Sequence, residues 1–276
     1  MHELRCRPAS PDLQPFVRAY AQREIFNLPG PVSAPIPARL EQILEFQFGE
    51  HFEVFHPTRS DRSRPATLVG SQTEGGWTIA LRNKIISFGI FFQPVGFSGL
   101  FGISPVELAN RAFDAADLLP SGIRQLHDQL AACVSFASRV AVVEQFLRTL
   151  VARSSANKHD LGCRAAGAIF RAHGAVNMRE LAAHYGLSVR QFERRFLRST
   201  GVAPKTYARV ARFQTALDTK LRSPHRSWLS IAHDLGYHDQ MHMVHDFHEL
   251  AGAAPNEALA TIRDARPPAM QEFSQL

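Results

Sequence analysis

Apolar and polar residues alternate with a period of two through the first hundred positions and with a helical period after that. Phe16, Val17 and Tyr20 fall on one face of a short amphipathic entry segment, and the proline-rich stretch from Pro29 to Pro37 breaks any helix there. Leu44, Phe46 and Phe48 then alternate with Glu45, Gln47 and Gly49, and Phe52 and Val54 follow across a turn expected at Gly49 and Glu50. Arg59 to Pro65 reads as a polar loop. Trp77, Ile79 and Leu81 alternate with Thr78, Ala80 and Arg82, and beyond a turn at Asn83 and Lys84 the apolar run Ile85 to Phe92 suits a buried strand, so the two predict a hairpin. A small phenylalanine-rich barrel or sandwich would close these strands, and such a barrel often holds one small ligand in its mouth. Phe46, Phe88, Phe91 and Phe92 serve as readily as plain core.

From about Ser104 the period becomes helical. Ile123, Leu126 and Leu130 step by three and four, and Phe136, Val140, Val143, Leu147 and Leu150 continue the seam. Two antiparallel helices would pack this way, inside one chain or across a dimer. Ala152 to Asp160 has no apolar periodicity and is expected to be a linker.

Beyond it the pattern becomes that of helix, tight turn and helix. Cys163 to His173 is amphipathic and stops at Gly174; Asn177 caps the next helix with Glu180 as its partner; Gly186 allows a left-handed turn; Ser188 caps the helix after that. On this last helix Val189, Phe192 and Phe196 mark the buried face, while Arg190, Arg194 and Arg198 lie four apart on another, with Gln191 and Arg195 beside them. Residues near the start of such a helix reach base edges and later ones reach phosphate. Arg190, Gln191 and Arg194 are therefore the expected base readers, and Arg195 and Arg198 the phosphate anchors.

The stretch repeats. LAAHYGLS at 181–188 matches IAHDLGYHD at 231–239, Phe196 matches Phe247, Gly201 matches Gly252 and Pro204 matches Pro255. The offset is 50 before the turn and 51 after it, so two helix-turn-helix units are expected, with Asp239 in the capping role of Ser188. Between them Pro204 to Leu221 predicts a helix of ~27 Å, comparable to the ~34 Å between successive major grooves on one side of B-DNA.

Charge sharpens this picture. Arg190 to Arg226 holds ten Lys or Arg against Glu193 and Asp218, more than the whole-chain net charge of +6. A patch so placed points to an anionic partner. Cys6, Cys133 and Cys163 are odd in number and widely spaced, which suggests neither a disulfide framework nor a zinc knuckle and suits a reducing cytoplasm. The N-terminus lacks the apolar core of a signal peptide, and no stretch approaches a membrane span, so no membrane partner is expected. Gly96, Gly99 and Gly102 are not followed by the lysine of a phosphate loop, and His2, His51, His56 and His127 form no HxH pair. No nucleophile elbow or HExxH motif occurs. No enzyme, cofactor or metal is expected; a cupin-like enzyme is the lesser alternative.

Residues 161–265 resemble the DNA-binding domain of the AraC/XylS family of bacterial transcription regulators, through LA, GLS, RRF, TGVAP and Tyr207 in the first copy and IA, GY, DQ, DF and G-x-x-P in the second. LVGSQT, FGIFFQP and GFSGLFGISPVELAN are similar to the sensor half of a subgroup of such regulators. The resemblance implies an α+β chain of two domains. Residues 1–155 would form a β-rich, barrel-like sensor and dimerisation domain, helical from about 104. Residues 156–276 would form an all-α domain with two helix-turn-helix units joined by a linking helix. It also implies that a ligand or dimer signal changes how the readers engage double-stranded promoter DNA and contact RNA polymerase. A small-molecule effector and a homodimer are both compatible, as is a regulator whose N-terminal domain only dimerises or binds a protein.

The second unit departs from the first. Aligned through Phe247, its reader positions are Gln240, Met241, His242 and His245, with Asp246 and Glu249 where the first copy has Arg195 and Arg198. It is expected to hold DNA weakly at neutral pH and to leave most of the affinity to the first. His238 and His242 are four apart, and His242, His245 and His248 step by three, a spacing able to place zinc or nickel ligands on one face. A groove or surface role without metal is the expectation, with a pH-dependent DNA contact as the alternative.

Overall fold

The computed structural model describes residues 2–26, 30, 32–81, 84–94, 96–119, 122–153 and 161–265. Among them the chain begins with nine strands: β1 (His2–Pro8), β2 (Val17–Phe26), β3 (Val32–Ile36), β4 (Ile43–Gln47), β5 (Glu53–His56), β6 (Arg59–Arg62), β7 (Ala66–Val69), β8 (Trp77–Leu81) and β9 (Lys84–Phe92). Short helices α1 (Gly96–Phe101) and α2 (Pro105–Leu108), strand β10 (Ala112–Asp114) and helix α3 (Ala115–Leu118) lead to α4 (Ile123–Ala132) and α5 (Phe136–Arg153). Seven helices follow: α6 (Leu161–Arg171), α7 (Met178–His184), α8 (Val189–Thr200), α9 (Pro204–Arg222), α10 (Trp228–Asp234), α11 (Gln240–Ala251) and α12 (Pro255–Ala265). The expected linker lies mostly outside the described residues, since α5 runs to Arg153 and α6 begins at Leu161.

The strands form two antiparallel sheets, in the orders β1-β2-β9-β4-β7-β10 and β3-β8-β5-β6. They do not close into a barrel. The expected hairpin is also absent: β8 pairs with β3 and β5, whereas β9 pairs on one edge with β2 and on the other with β4. A strand occupied on both edges leaves its chain neighbour to the facing sheet. Arg59–Arg62, read as a polar loop, is edge strand β6, whose charged side chains suit an exposed edge. The entry segment is the turn ending at Phe16 and the start of β2 at Val17. A bulge between Val17 and Ala19 lets Val17 and Tyr20 share the buried face at a spacing that imitates a helix.

Strand parity decides what each face of the larger sheet does. Leu44, Phe46, Leu68, Phe88 and Ile90 are fully buried against Ile123, Leu126, Leu130, Val140, Val143 and Leu147 of α4 and α5. The apolar seam of these helices is thus intramolecular core. Arg139 of α5 closes the end of α4, donating to the carbonyls of Leu130 (3.0 Å) and Cys133 (3.1 Å) and to Gln22 of β2 (2.8 Å). The opposite parity, with Ile43, Glu45, Ser87, Gly89 and Phe91, faces the second sheet across a cavity of about 400 Å³. Among the four phenylalanines weighed above, Phe91 therefore lines the cavity while Phe46, Phe88 and Phe92 are core.

Candidate nucleic-acid interface

The first unit is α7, a turn at Gly186 and α8. Asn177 Oδ1 accepts from the amides of Arg179 (2.9 Å) and Glu180 (3.4 Å), satisfying donors that the first helical turn leaves open. Gly186 has φ +67°, which permits the reversal into α8. Ser188 Oγ then accepts from Gln191 N (3.3 Å) and Gln191 Oε1 accepts from Ser188 N (3.1 Å), a reciprocal capping box. Phe192 and Phe196 are fully buried, while Arg190, Gln191, Arg194, Arg195 and Arg198 are exposed. The Gln191 carbonyl, one half of an expected base reader, is thereby engaged in starting the helix.

The second unit repeats this with the same helix lengths. Ser227 caps α10, Gly236 has φ +67°, and Asp239 Oδ1 accepts from His242 N at 2.8 Å to start α11. Met243, Phe247 and Leu250 are buried; Gln240, Met241, His242 and His245 are exposed. Both readers end on a left-handed glycine, Gly201 (φ +76°) and Gly252 (φ +75°).

The acids of α11 are paired with an arginine of α9, Asp246 buried and Glu249 exposed. Asp246 is buried and accepts from Arg209 of α9, which also binds Glu249. The Arg209 hydrogen bond holds the Glu249 carboxyl below its ordinary value, against a weak opposing effect of burial. Pairing with Arg209 reduces the negative charge that a polyanion would meet there.

Helix α9 spans about 28 Å at 1.5 Å per residue and fixes one reader relative to the other. Near its start Tyr207 packs edge-on to Phe196 (centroids 5.2 Å apart), and one turn and a half later Phe213 packs edge-on to Phe247 (4.8 Å). Arg212 donates to the Gly174 carbonyl at 2.9 Å and lies over the Tyr237 ring. Removing either phenylalanine would open a cavity costing about 3–5 kcal/mol.

The N-terminal region touches the same three helices. A Cβ on Gly201 would lie 2.2 Å from the Pro105 carbonyl oxygen, so only glycine lets α2 approach the end of α8 so closely. At the end of α11, Leu250 O accepts from Ala38 N (2.8 Å) and Glu249 O from Gly75 N (2.7 Å). On α9, Gln214 Oε1 accepts from Leu40 N (3.3 Å) and its Nε2 donates to Glu41 (2.9 Å), which also pairs with Arg18. Burial alone would raise the Glu41 pKa; the Arg18 guanidinium and the Gln214 amide outweigh it and hold the carboxyl below its ordinary value. Arg18, Glu41 and, from α9, Gln214, Leu217 and Asp218 line the cavity between the sheets. Nothing in the local sequence signals these cross-domain partners, of which the hydrogen-bonded ones lie more than 170 residues apart.

Of the histidines, the structure brings His238 and His242 together with Asp239, while His245 lies 3.4 Å from Glu249. No helix among the described residues is long and apolar enough to cross a membrane.

A family model described as a helix-turn-helix domain matches residues 181–261, the two readers and the helix between them. No curated protein sequence matches the chain. Among solved structures, ToxT from Vibrio cholerae O395 aligns at a TM-score of 0.50 with 9% identity over 88% of this chain and 96% of its own. Its apo lysine-to-alanine variant from strain SCE256 aligns at 0.50 with 10% identity over 92% and 99%. The AraC-like transcriptional activator CuxR aligns at 0.28 with 14% identity over 77% and 86%. The ToxT alignments carry the two-part fold, and the family match carries the paired units built on capped, glycine-turned helices: residues 181–261 are a helix-turn-helix domain.

Proposed function

We propose that α8 and α11 enter successive major grooves of promoter DNA, and that an effector in the cavity between the sheets changes how they do so. In this reading Arg190, Arg194 and the free amide of Gln191 meet base edges, Arg195 and Arg198 meet phosphates, and Gln240, Met241, His242 and His245 present a weaker, largely uncharged second surface. The observation that carries the regulatory half is the cavity wall: Gln214, Leu217 and Asp218 belong to the helix that spaces the readers. An occupant therefore touches that helix directly.

The lining describes the occupant. Seven arginines against four acids line the cavity, and Phe52, Trp77, Ile79 and Leu81 supply apolar wall. A small, largely aliphatic molecule with one carboxylate or phosphate matches both features.

Trp77 is one of two tryptophans, the other being Trp228 in the second unit. In a Trp228→Phe background its emission reports occupancy while the anisotropy of labelled promoter DNA reports binding. Titrating aliphatic carboxylates should move both signals over one concentration range. DNA affinity that stays fixed while Trp77 responds overturns the coupling. A silent Trp77 across carboxylates and phosphates favours an N-terminal domain that answers only to a protein or to a second copy.

A further inference from the structure

Among the described residues, one group of side chains has the composition and reach of a metal site, and it stands at the start of the second reader. His238 is in the turn, Asp239 is the N-cap of α11, and His242 is in its first turn. A nitrogen of each histidine and a carboxylate oxygen of Asp239 all lie within 4.8 Å of one another. Two structural constraints hold them there. Asp239 is pinned by its cap, with Oδ1 accepting from His242 N at 2.8 Å, and this leaves Oδ2 turned to His238 Nδ1 at 3.1 Å. The two imidazole rings face the same space, with centroids 6.1 Å apart and planes at 64°.

We propose that His238, Asp239 and His242 bind a divalent transition-metal ion, Zn²⁺ being the ion this donor set suits best. Two imidazole nitrogens and one carboxylate oxygen are borderline and hard donors that suit Zn²⁺ or Ni²⁺, and three protein ligands leave a coordination position open to solvent. The site needs no opening, because all three residues are exposed. The positive end of the helix opposes a cation, and the carboxylate within the donor set offsets it.

The ion would also alter the unit's electrostatics. Gln240 and Met241 carry no charge, so a dication replaces a local −1 with +1 where the second reader has no arginine. If α11 faces DNA as proposed above, the open position lies where a phosphate oxygen can take it, beside the groove lined by Lys205, Arg209 and Arg212.

The test is calorimetric titration of the full chain with Zn²⁺ in a non-chelating buffer. His238→Gln and His242→Gln should each weaken binding at least ~10-fold, the loss that removing even an outer partner of a metal ligand brings. Neither change touches the cap, which uses Asp239 and the backbone of residue 242, and circular dichroism checks that the helices persist. His248→Gln, on the same helix but outside the group, should bind as the parent does. Co²⁺ in place of Zn²⁺ should give weak d–d bands without thiolate charge transfer, which separates this site from the three cysteines. Undiminished binding in the double glutamine variant, or a thiolate band, overturns the site. If Zn²⁺ binds at these residues but leaves promoter affinity unchanged, the metal site stands and the placement of α11 on DNA falls.

Discussion

Gln214 on α9 donates from Nε2 to Glu41 Oε2 at 2.9 Å, joining the helix that spaces the two readers to the wall of the N-terminal cavity. The same amide accepts from Leu40 N through Oε1, so one side chain closes two cross-domain hydrogen bonds. Gln214→Leu keeps the volume and removes both, leaving Arg18 as the side chain paired with Glu41. The expected cost is about 1–3 kcal/mol in urea unfolding, since a buried carboxylate oxygen loses its partner. The functional consequence is larger: DNA affinity should lose its dependence on cavity occupancy while DNA binding itself persists. A variant whose DNA affinity still tracks the ligand would show that coupling runs elsewhere.

Glu41 also sets an acid limit. Its folded-state pKa lies below the unfolded value, so its contribution is fully present above about pH 5 and is lost as pH falls through the folded value. Unfolding free energies measured between about pH 6 and pH 3 should therefore fall more steeply in the parent than in Glu41→Gln, which cannot titrate. Parallel curves would mean that the pair with Arg18 contributes no pH dependence.

The first reader should dominate DNA binding. Arg190→Ala and Arg194→Ala each remove a side chain able to make a bidentate base contact worth about 1–3 kcal/mol, and the double variant should lose specific binding. Arg195→Ala and Arg198→Ala should weaken binding to all sequences alike and lower the slope of log affinity against log salt by about 1 each. His242→Ala and His245→Ala should cost less, measured without added metal at one fixed salt concentration. Equal losses from the two readers would refute this ranking.

What could be seen in the sequence followed from local rules. Capping at Asn177, Ser188 and Asp239, the left-handed glycines and the 50- and 51-residue offsets depend on residues within a few positions of each other, and each unit repeats them. Strand pairing does not. Trp77–Leu81 and Ile85–Phe92 have hairpin signals, yet they join different sheets, because β2 and β4 occupy both edges of β9. The pairing of Asp246 and Glu249 is hidden for a related reason. Their partner, Arg209, is 37 residues from Asp246, beyond the reach of any local pattern. Of the group proposed to bind metal, the sequence shows His238 and His242 by their spacing and Asp239 only as a cap, though a carboxylate has a second oxygen.

Two glycines with the same backbone conformation separate local strain from domain contact. Gly186 and Gly201 have φ of +67° and +76°, so alanine at either position carries the cost of the left-handed region, about 1–2 kcal/mol. At Gly186 a Cβ meets nothing within 4 Å, and Gly186→Ala should cost that amount and no more. At Gly201 the Cβ would stand 2.2 Å from the Pro105 carbonyl oxygen and 3.0 Å from Val106 N, both backbone atoms that no rotamer change can move. Gly201→Ala must therefore either lose clearly more stability than Gly186→Ala or push α2 away from the end of α8. Thermal unfolding of the two variants measures the first outcome. Amide hydrogen exchange at Leu108 and Arg111, whose backbone lies just beyond Pro105, measures the second. If Gly201→Ala matches Gly186→Ala in stability and exchange is unchanged in both, the N-terminal region does not brace the first reader in solution.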